Sequence, residues 1–242
     1  MAGGGLAALA ALLGGLGMNK LLMKSMPYDP DKEIAPVTIL TEQPSVLVVS
    51  NEMGVTSLKE LIEKLRKDPG KYNYSSIGRG SLSHLSMELV ANKSGTKITH
   101  LPAKSSPEAA MAVIRNDVQM SVLPAVAVLG LAREGKLKIL AVTSEKRSSA
   151  MPDVPTFREA GVEGVVASAW NALIAPASTP KAIIDEINAH AVAALNDPAL
   201  KANFAKQIME TTPMTAQAAR AYVNAELAKW SAIVKAAGIE PQ

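Results

Sequence analysis

Hydrophobic and polar positions alternate between two periods along most of the chain. The run "VLVVS" at 46–50 is continuously apolar and rich in β-branched residues, which predicts a buried strand. In "SLKELIEKLRKDPG", Leu58, Leu61, Ile62 and Leu65 share one helical face. Ser57 and Glu60 have capping-box spacing, and Asp68-Pro69-Gly70 stops the helix. "YNYSS" then reads as a strand and 81–93 as a helix, with Gly95 placed as its C-terminal cap. "KITHL" at 97–101 reads as a strand. Ser106-Pro107-Glu108 opens a helix, with proline in the first turn where its missing N–H costs nothing. "DVQMSVL" predicts a strand, 125–134 a helix ending near Gly135, and "LKILAVT" at 137–143 a strand. "PDVPTFREAG" predicts a turn and a short helix, and "WNALIAP" at 170–176 another strand.

Beyond that point the pattern turns helical. Thr179-Pro180 and Asp197-Pro198 each pair a cap with a first-turn proline. Thr215 opens a last helix whose stripe is Tyr222, Val223, Leu227, Trp230, Ile233 and Val234, ending at Gly238. Strands alternating with helices predict an α/β fold with a parallel sheet covered on both faces. The boundary signals set off a middle module at about 51–165, with flanking pieces that belong to another module. The N-terminal "MAGGGLAALAALLGGLGMNKLLMK" reads as a buried Ala/Leu helix with frayed glycine ends. A degenerate signal sequence or a truncated start stays open, although the stretch lacks a positive n-region. It is also too short and glycine-rich for a membrane span.

Composition narrows the chemistry. Of 242 residues 48% are hydrophobic and 19% charged, so a packed core is expected. Aromatic content is only 3%, which makes that core aliphatic. A net charge of +3 without a Lys/Arg block argues against nucleic acid and mildly favours an anionic small ligand. With no cysteine, disulfides, thiolate metal sites and cysteine nucleophiles are excluded.

The stretch "NYSSIGRGSLSHLSMELV" carries the sharpest candidate. Gly78 and Gly80 allow close backbone approach, and Arg79 lies between them. The first-turn N–H groups near Ser81 to His84 carry partial positive charge, so a carboxylate fits there, with Ser81 as a hydroxyl donor. A plain helix cap explains the same residues equally well. His84 reads more simply as a supporting residue than as a catalyst. Ser83 stands where a dinucleotide fingerprint needs its third glycine, and no Walker A sequence or G-x-S-x-G elbow occurs. His84, His100 and His190 are far apart, without metal-ligand spacing. A small hydrolase using Ser81 and His84 stays open, although no orienting acid is evident. At the next strand ends, Lys104, Ser105 and Ser106 offer anion contacts, Ser106 more simply as the cap before Pro107. Leu123 and Pro124 offer an apolar wall, and Trp170 either stacks on a ligand or closes the core.

Four stretches together resemble the solute-binding receptors of tripartite tricarboxylate transporters, the Bug or TctC-type family. They are "MPYDPDKEIAPVTIL", "PSVLVVSNEMGVTSLKELIEKLRKDPGKYNYSSIGRGSLSHLSMELV", "GKLKILAVTSEKRSSAMPDVPTFREAG" and "WNALIAPASTPKAIIDEIN". The resemblance runs from about Met26 to Gln242. It implies a periplasmic-binding-protein-like (type II), two-lobed Venus flytrap that binds a small di- or tricarboxylate and hands it to membrane permease subunits. It implies no catalysis, no cofactor, no nucleic acid and no membrane span of its own. The lobes would be 1–50 as a partial first lobe, 51–165 as the second, and 166–242 as a mainly helical return to the first. The family's Gly-x-Gly-Ser turn and following histidine map onto Gly78, Gly80, Ser81 and His84. Its Tyr-Lys-Gly loop corresponds to Ala103, Lys104 and Ser105. Leu123 stands where members that bind amino acids carry an aspartate, which favours a plain acid as ligand. The family's leading strand and Pro/Gly-rich loop have no counterpart before Met26, so the first lobe is expected to be incomplete. A periplasmic location is implied without a convincing signal peptide, and a non-binding remnant of the receptor is the further alternative.

Overall fold

The structure, a computed structural model, describes residues 9–12 and 18–241. Two compact units emerge, Met1–Glu42 with Ala169–Gln242, and Gln43–Ser168. The elements in order are β1 (Leu9–Leu12), α1 (Asn19–Leu22), α2 (Pro30–Glu33), β2 (Ile34–Val49), α3 (Leu58–Lys67), β3 (Asn73–Ser76), α4 (Leu82–Ser94), β4 (Thr99–Pro102), α5 (Ser106–Ile114), β5 (Met120–Pro124), α6 (Ala125–Arg133), β6 (Lys138–Val142), β7 (Ser168–Pro176), α7 (Lys181–Leu195), α8 (Pro198–Ala205), β8 (Glu210–Thr211) and α9 (Ala216–Ala236).

In the Gln43–Ser168 unit the strand order is β6-β2-β5-β3-β4. β3 runs parallel to β4 and β5, whereas β2 runs antiparallel to both β5 and β6. The expected parallel sheet is therefore a mixed one. The carboxyl ends of β3, β4 and β5 still open on one edge, because Ser76 pairs with Pro102 and Ser75 with Ser121. α3 forms where its pattern places it. Ser57 Oγ accepts the Glu60 N–H at 3.2 Å, Glu60 takes the Thr56 N–H at 2.7 Å, and Leu58, Leu61, Ile62 and Leu65 are buried. α4 is capped by Ser81 and closed by Gly95 in the left-handed conformation. Ser83 Oγ ties its start to the Val122 carbonyl of β5. Arg66 Nε and Nη2 hold its last carbonyl, Ser94 O, at 2.9 and 2.6 Å. The stretch 152–161 makes turns rather than the expected short helix. There the Thr156 N–H goes to the Glu159 carboxylate, and the Pro155 carbonyl is taken by the Val142 N–H.

In the other unit β2 lies between β7 and β8, and β1 pairs antiparallel with β7, Leu9 opposite Ile174 and Leu12 opposite Asn171. The helix expected at the N-terminus is thus a strand at 9–12, where pairing with β7 supplies the backbone partners. The rest of that expectation over 1–8 and 13–17 lies outside the described residues. Val37, Ala175 and Ile184 form a core cluster, and Val223, Trp230, Ile233 and Val234 of α9 are buried on the expected stripe. Thr215 and Asp197 cap their helices as expected. Thr179 does not, because Pro180 occupies the cap position of α7 and makes no side-chain bond.

Candidate functional site

The turn between β3 and α4 is built around one carbonyl. Gly78 O accepts from Ser81 Oγ at 2.7 Å, Ser76 Oγ at 3.0 Å and the Ser81 N–H at 3.2 Å. Three donors on one carbonyl hold its negative end within the turn. Gly78 and Gly80 have φ of 119° and 77°, a region that L side chains rarely enter. With that carbonyl bonded within the turn, three amides are left over. Among the described residues, the N–H groups of Arg79, Leu82 and Ser83 have no hydrogen-bond partner. Three neighbouring amides are satisfied by side chains instead. Ser76 Oγ takes the Gly78 N–H at 3.2 Å, His84 Nδ1 the Gly80 N–H at 3.0 Å, and Ser81 Oγ the His84 N–H at 3.2 Å. The Ser81 hydroxyl proton is therefore spent on Gly78 O, and Ser81 acts as a cap rather than as the expected donor to a ligand. Arg79 is exposed and adds positive charge beside the mouth.

His84 is 4% exposed and lies beneath this turn rather than on the helix surface. Burial, helped by the Arg79 guanidinium, pushes its pKa down to about 4. His100 lies against it, with ring centroids 4.0 Å apart and planes at 15°. It too is pushed down to about 4, first by burial and then by His84 and Arg79, with Glu88 opposing. The two histidines that look remote in sequence are thus neighbours, joined by Tyr74, which stacks on His100 at 4.9 Å. Tyr74 gives its phenol proton to Glu88, and burial beside that carboxylate raises the phenol's pKa. Pairing of Tyr74 with His100 across β3 and β4 is what brings His100 beneath the turn.

The loop after β4 abuts this one, since the Ala103 N–H donates to Ser76 O at 2.9 Å. Ser105, not Ser106, caps α5 and accepts the Glu108 N–H at 3.3 Å. Extended backbone at Ser105 places it outside the helix, leaving Ser106 and Pro107 as the first two helical residues. The Lys104 N–H goes to the Glu108 carboxylate at 2.9 Å, and Lys104 and Ser105 are both exposed. Leu123 is fully buried in β5, so of the expected apolar wall only Pro124 reaches the surface in part. Trp170 belongs to the other unit. It is 1% exposed and meets Tyr222 edge-on at 5.8 Å, and so closes the core there. Among the described residues its Nε1 has no hydrogen-bond partner. None of these residues lines the cavity of about 670 Å³ between the starts of α7 and α9.

The arrangement lacks a nucleophile and base. Ser81 Oγ accepts from the backbone of His84, and the His84 Nδ1 lone pair is occupied by Gly80. Ser76 Oγ lies 2.7 Å from His100 Nε2, but Ser76 is 0% exposed, beyond the reach of a substrate. What the turn offers is a set of unpartnered amides at a helix start, which is chemistry for holding an anion.

Residues 15–239 match the model of the tripartite tricarboxylate transporter family receptor, TctC. The chain belongs to this family. BugT of Bordetella pertussis is 32% identical over 223 residues, covering 92% of this chain and 68% of that protein. A UPF0065 protein of Bordetella bronchiseptica is 28% identical, covering 91% and 65%. The chain thus spans about two thirds of the length of these relatives. An R. palustris protein solved with adipate superposes with a TM-score of 0.80 at 30% identity, covering 97% of this chain and 79% of that one. MatC of Rhodopseudomonas palustris, with bound malate, gives 0.72 at 27%, covering 94% and 78%. The two-lobed binding-protein fold expected from sequence is thereby borne out, and TctC receptors bind solutes rather than catalyse. Among the described residues no helix is long and apolar enough to cross a membrane.

Proposed function

We propose that this chain is an extracytoplasmic, periplasmic receptor for a small carboxylate, working with the membrane permease subunits of a tripartite tricarboxylate transporter. One observation carries the reading. A helix start flanked by two positive-φ glycines leaves the Arg79, Leu82 and Ser83 amides without an internal partner, next to an exposed arginine. A carboxylate accepting from such amides gains charge-assisted hydrogen bonds worth roughly 1.5–3 kcal/mol each before desolvation and ordering costs. The helix dipole adds about 0.3–1 kcal/mol. Lys104 and Ser105, on the loop joined to this turn through Ala103 and Ser76, supply the second contact to the same anion. Adipate and malate, found with relatives of this chain, define the size class to try first.

Titration calorimetry with adipate, malate and a tricarboxylate tests the reading. Heat of binding with at least one of them is expected, with a matching rise in melting temperature. Absence of both signals with every acid would rule the reading out.

A further inference from the structure

The stack of Tyr74, His100 and His84 has a geometry that the carboxylate reading does not require. Each imidazole holds one of the two glycines. His84 Nδ1 accepts the Gly80 N–H directly at 3.0 Å. His100 Nε2 lies 2.7 Å from Ser76 Oγ, and that hydroxyl binds both the N–H and the carbonyl of Gly78. The bond to Gly80 fixes the state of His84. Its Nδ1 must be a bare lone pair, so the ring is neutral with its proton on Nε2, 3.9 Å from Glu88 Oε1. Protonation would set one donor against another at Gly80. It would also place a cation 4.0 Å from a second imidazole.

The charged and titratable groups facing the pair are Glu88 from α4, Arg79 from the turn and Tyr74 from β3. The buried face of α5, Ala109, Ala110 and Val113, and the strand β5 bring none. Burial and Arg79 disfavour the imidazolium; Glu88, its charge shared with the Tyr74 phenol, opposes only weakly.

We propose that His84 and His100 are positioning residues for the glycine turn: they hold Gly78 and Gly80 so that the Arg79, Leu82 and Ser83 amides face outward, and the lone pair of His84 makes that hold proton-sensitive. The consequence for ligand capture rests on the carboxylate reading, whereas the consequence for the turn itself does not. The clamp stays closed at neutral pH and opens as His84 takes up its proton, near pH 4.

The decisive experiment has a ligand-free and a ligand-bound arm. In the first, ¹⁵N-labelled protein is titrated from neutral pH into acid while the imidazole and the Gly78 and Gly80 amide signals are followed. The Gly80 amide is expected to move with the His84 midpoint. In the second, malate affinity is measured for wild type, His84→Asn and His84→Ala. Asparagine sets an amide oxygen about where Nδ1 lies, and that oxygen does not titrate. At neutral pH His84→Ala should weaken malate by about tenfold, the loss of one good hydrogen bond, and His84→Asn by less than about threefold. At the His84 midpoint the competent fraction is one half, so wild type should lose about twofold more than His84→Asn. Titration of malate itself is common to both proteins and cancels in the ratio.

A Gly80 amide that stays still through the His84 titration overturns the proposal, as do parallel pH profiles for wild type and His84→Asn. If no malate binds at any pH yet the Gly80 amide follows His84, the positioning role stands and the carboxylate reading falls. The first arm needs no variant, so a misfolded substitution leaves it intact.

Discussion

Two helix starts lie side by side at the end of the Gln43–Ser168 sheet, and they solve the same problem differently. α4 and α5 are each capped by a serine that accepts the N–H three residues on, Ser81 from His84 at 3.2 Å and Ser105 from Glu108 at 3.3 Å. At α5 the third residue is an acid, whose carboxylate folds back onto the Lys104 N–H at 2.9 Å. That start already has its anion. At α4 the third residue is a buried, neutral imidazole, which satisfies Gly80 without adding negative charge. Cap chemistry alone does not make an anion site. What matters is whether the protein fills the helix start with its own charge or leaves it for a guest.

The comparison can be broken most severely at Gly78. A Cβ there meets nothing within 4 Å, so Gly78→Ala is penalised by its φ of 119° rather than by a clash. Strain of roughly 1–3 kcal/mol should appear in chemical denaturation, with at least about tenfold weaker adipate binding in calorimetry. Next come the paired cap deletions. Ser81→Ala and Ser105→Ala should each cost about 1 kcal/mol of stability. Only Ser81→Ala should also cost about tenfold in adipate affinity, because it frees the Gly78 carbonyl to swing toward the ligand. Equal affinity losses from the two would end the distinction between the two helix starts. Acid sharpens it in another way. Folding lowers the pKa of both histidines from 6.5 to about 4, so the unfolded chain binds their protons first. Thermal melts should show this contribution intact above pH 6.5, declining as the pH falls toward 4 and then levelling. The smallest effect is Glu108→Gln. Removing that charge should strengthen adipate binding by about twofold to fivefold at low salt, and the gain should fade as salt rises.

Much of this arrangement is written locally. Ser57, Ser81, Asp197 and Thr215 announce their caps through residue type and spacing, and Gly95 marks the end of α4 through the left-handed turn only glycine adopts cheaply. The glycine turn was legible as the entry to a capped helix for the same reason. Other features depend on partners far along the chain. The run of alanine and leucine at 9–12 suits a helix, and only β7, some 160 residues later, makes it a strand. Nothing in the apolar run of β2 states its direction, so the single antiparallel strand among β6, β5, β3 and β4 was invisible. Ser105 and Ser106 both precede Pro107, and proline is tolerated at the first or second helical position, so spacing did not choose between them. The histidine pair is the clearest case. His84 and His100 share no local motif and meet only because β3 and β4 align Tyr74 with His100.

The two tethers on α4 constrain how this unit can move. Near its beginning Ser83 is fastened to the Val122 carbonyl, and at its finish the Arg66 guanidinium grips Ser94 O. A rod pinned at both tips has no free stroke along its own axis. Any displacement provoked by an arriving guest must carry α4 together with β5 and α3, so the pull is shared by three elements instead of being absorbed as slippage of one.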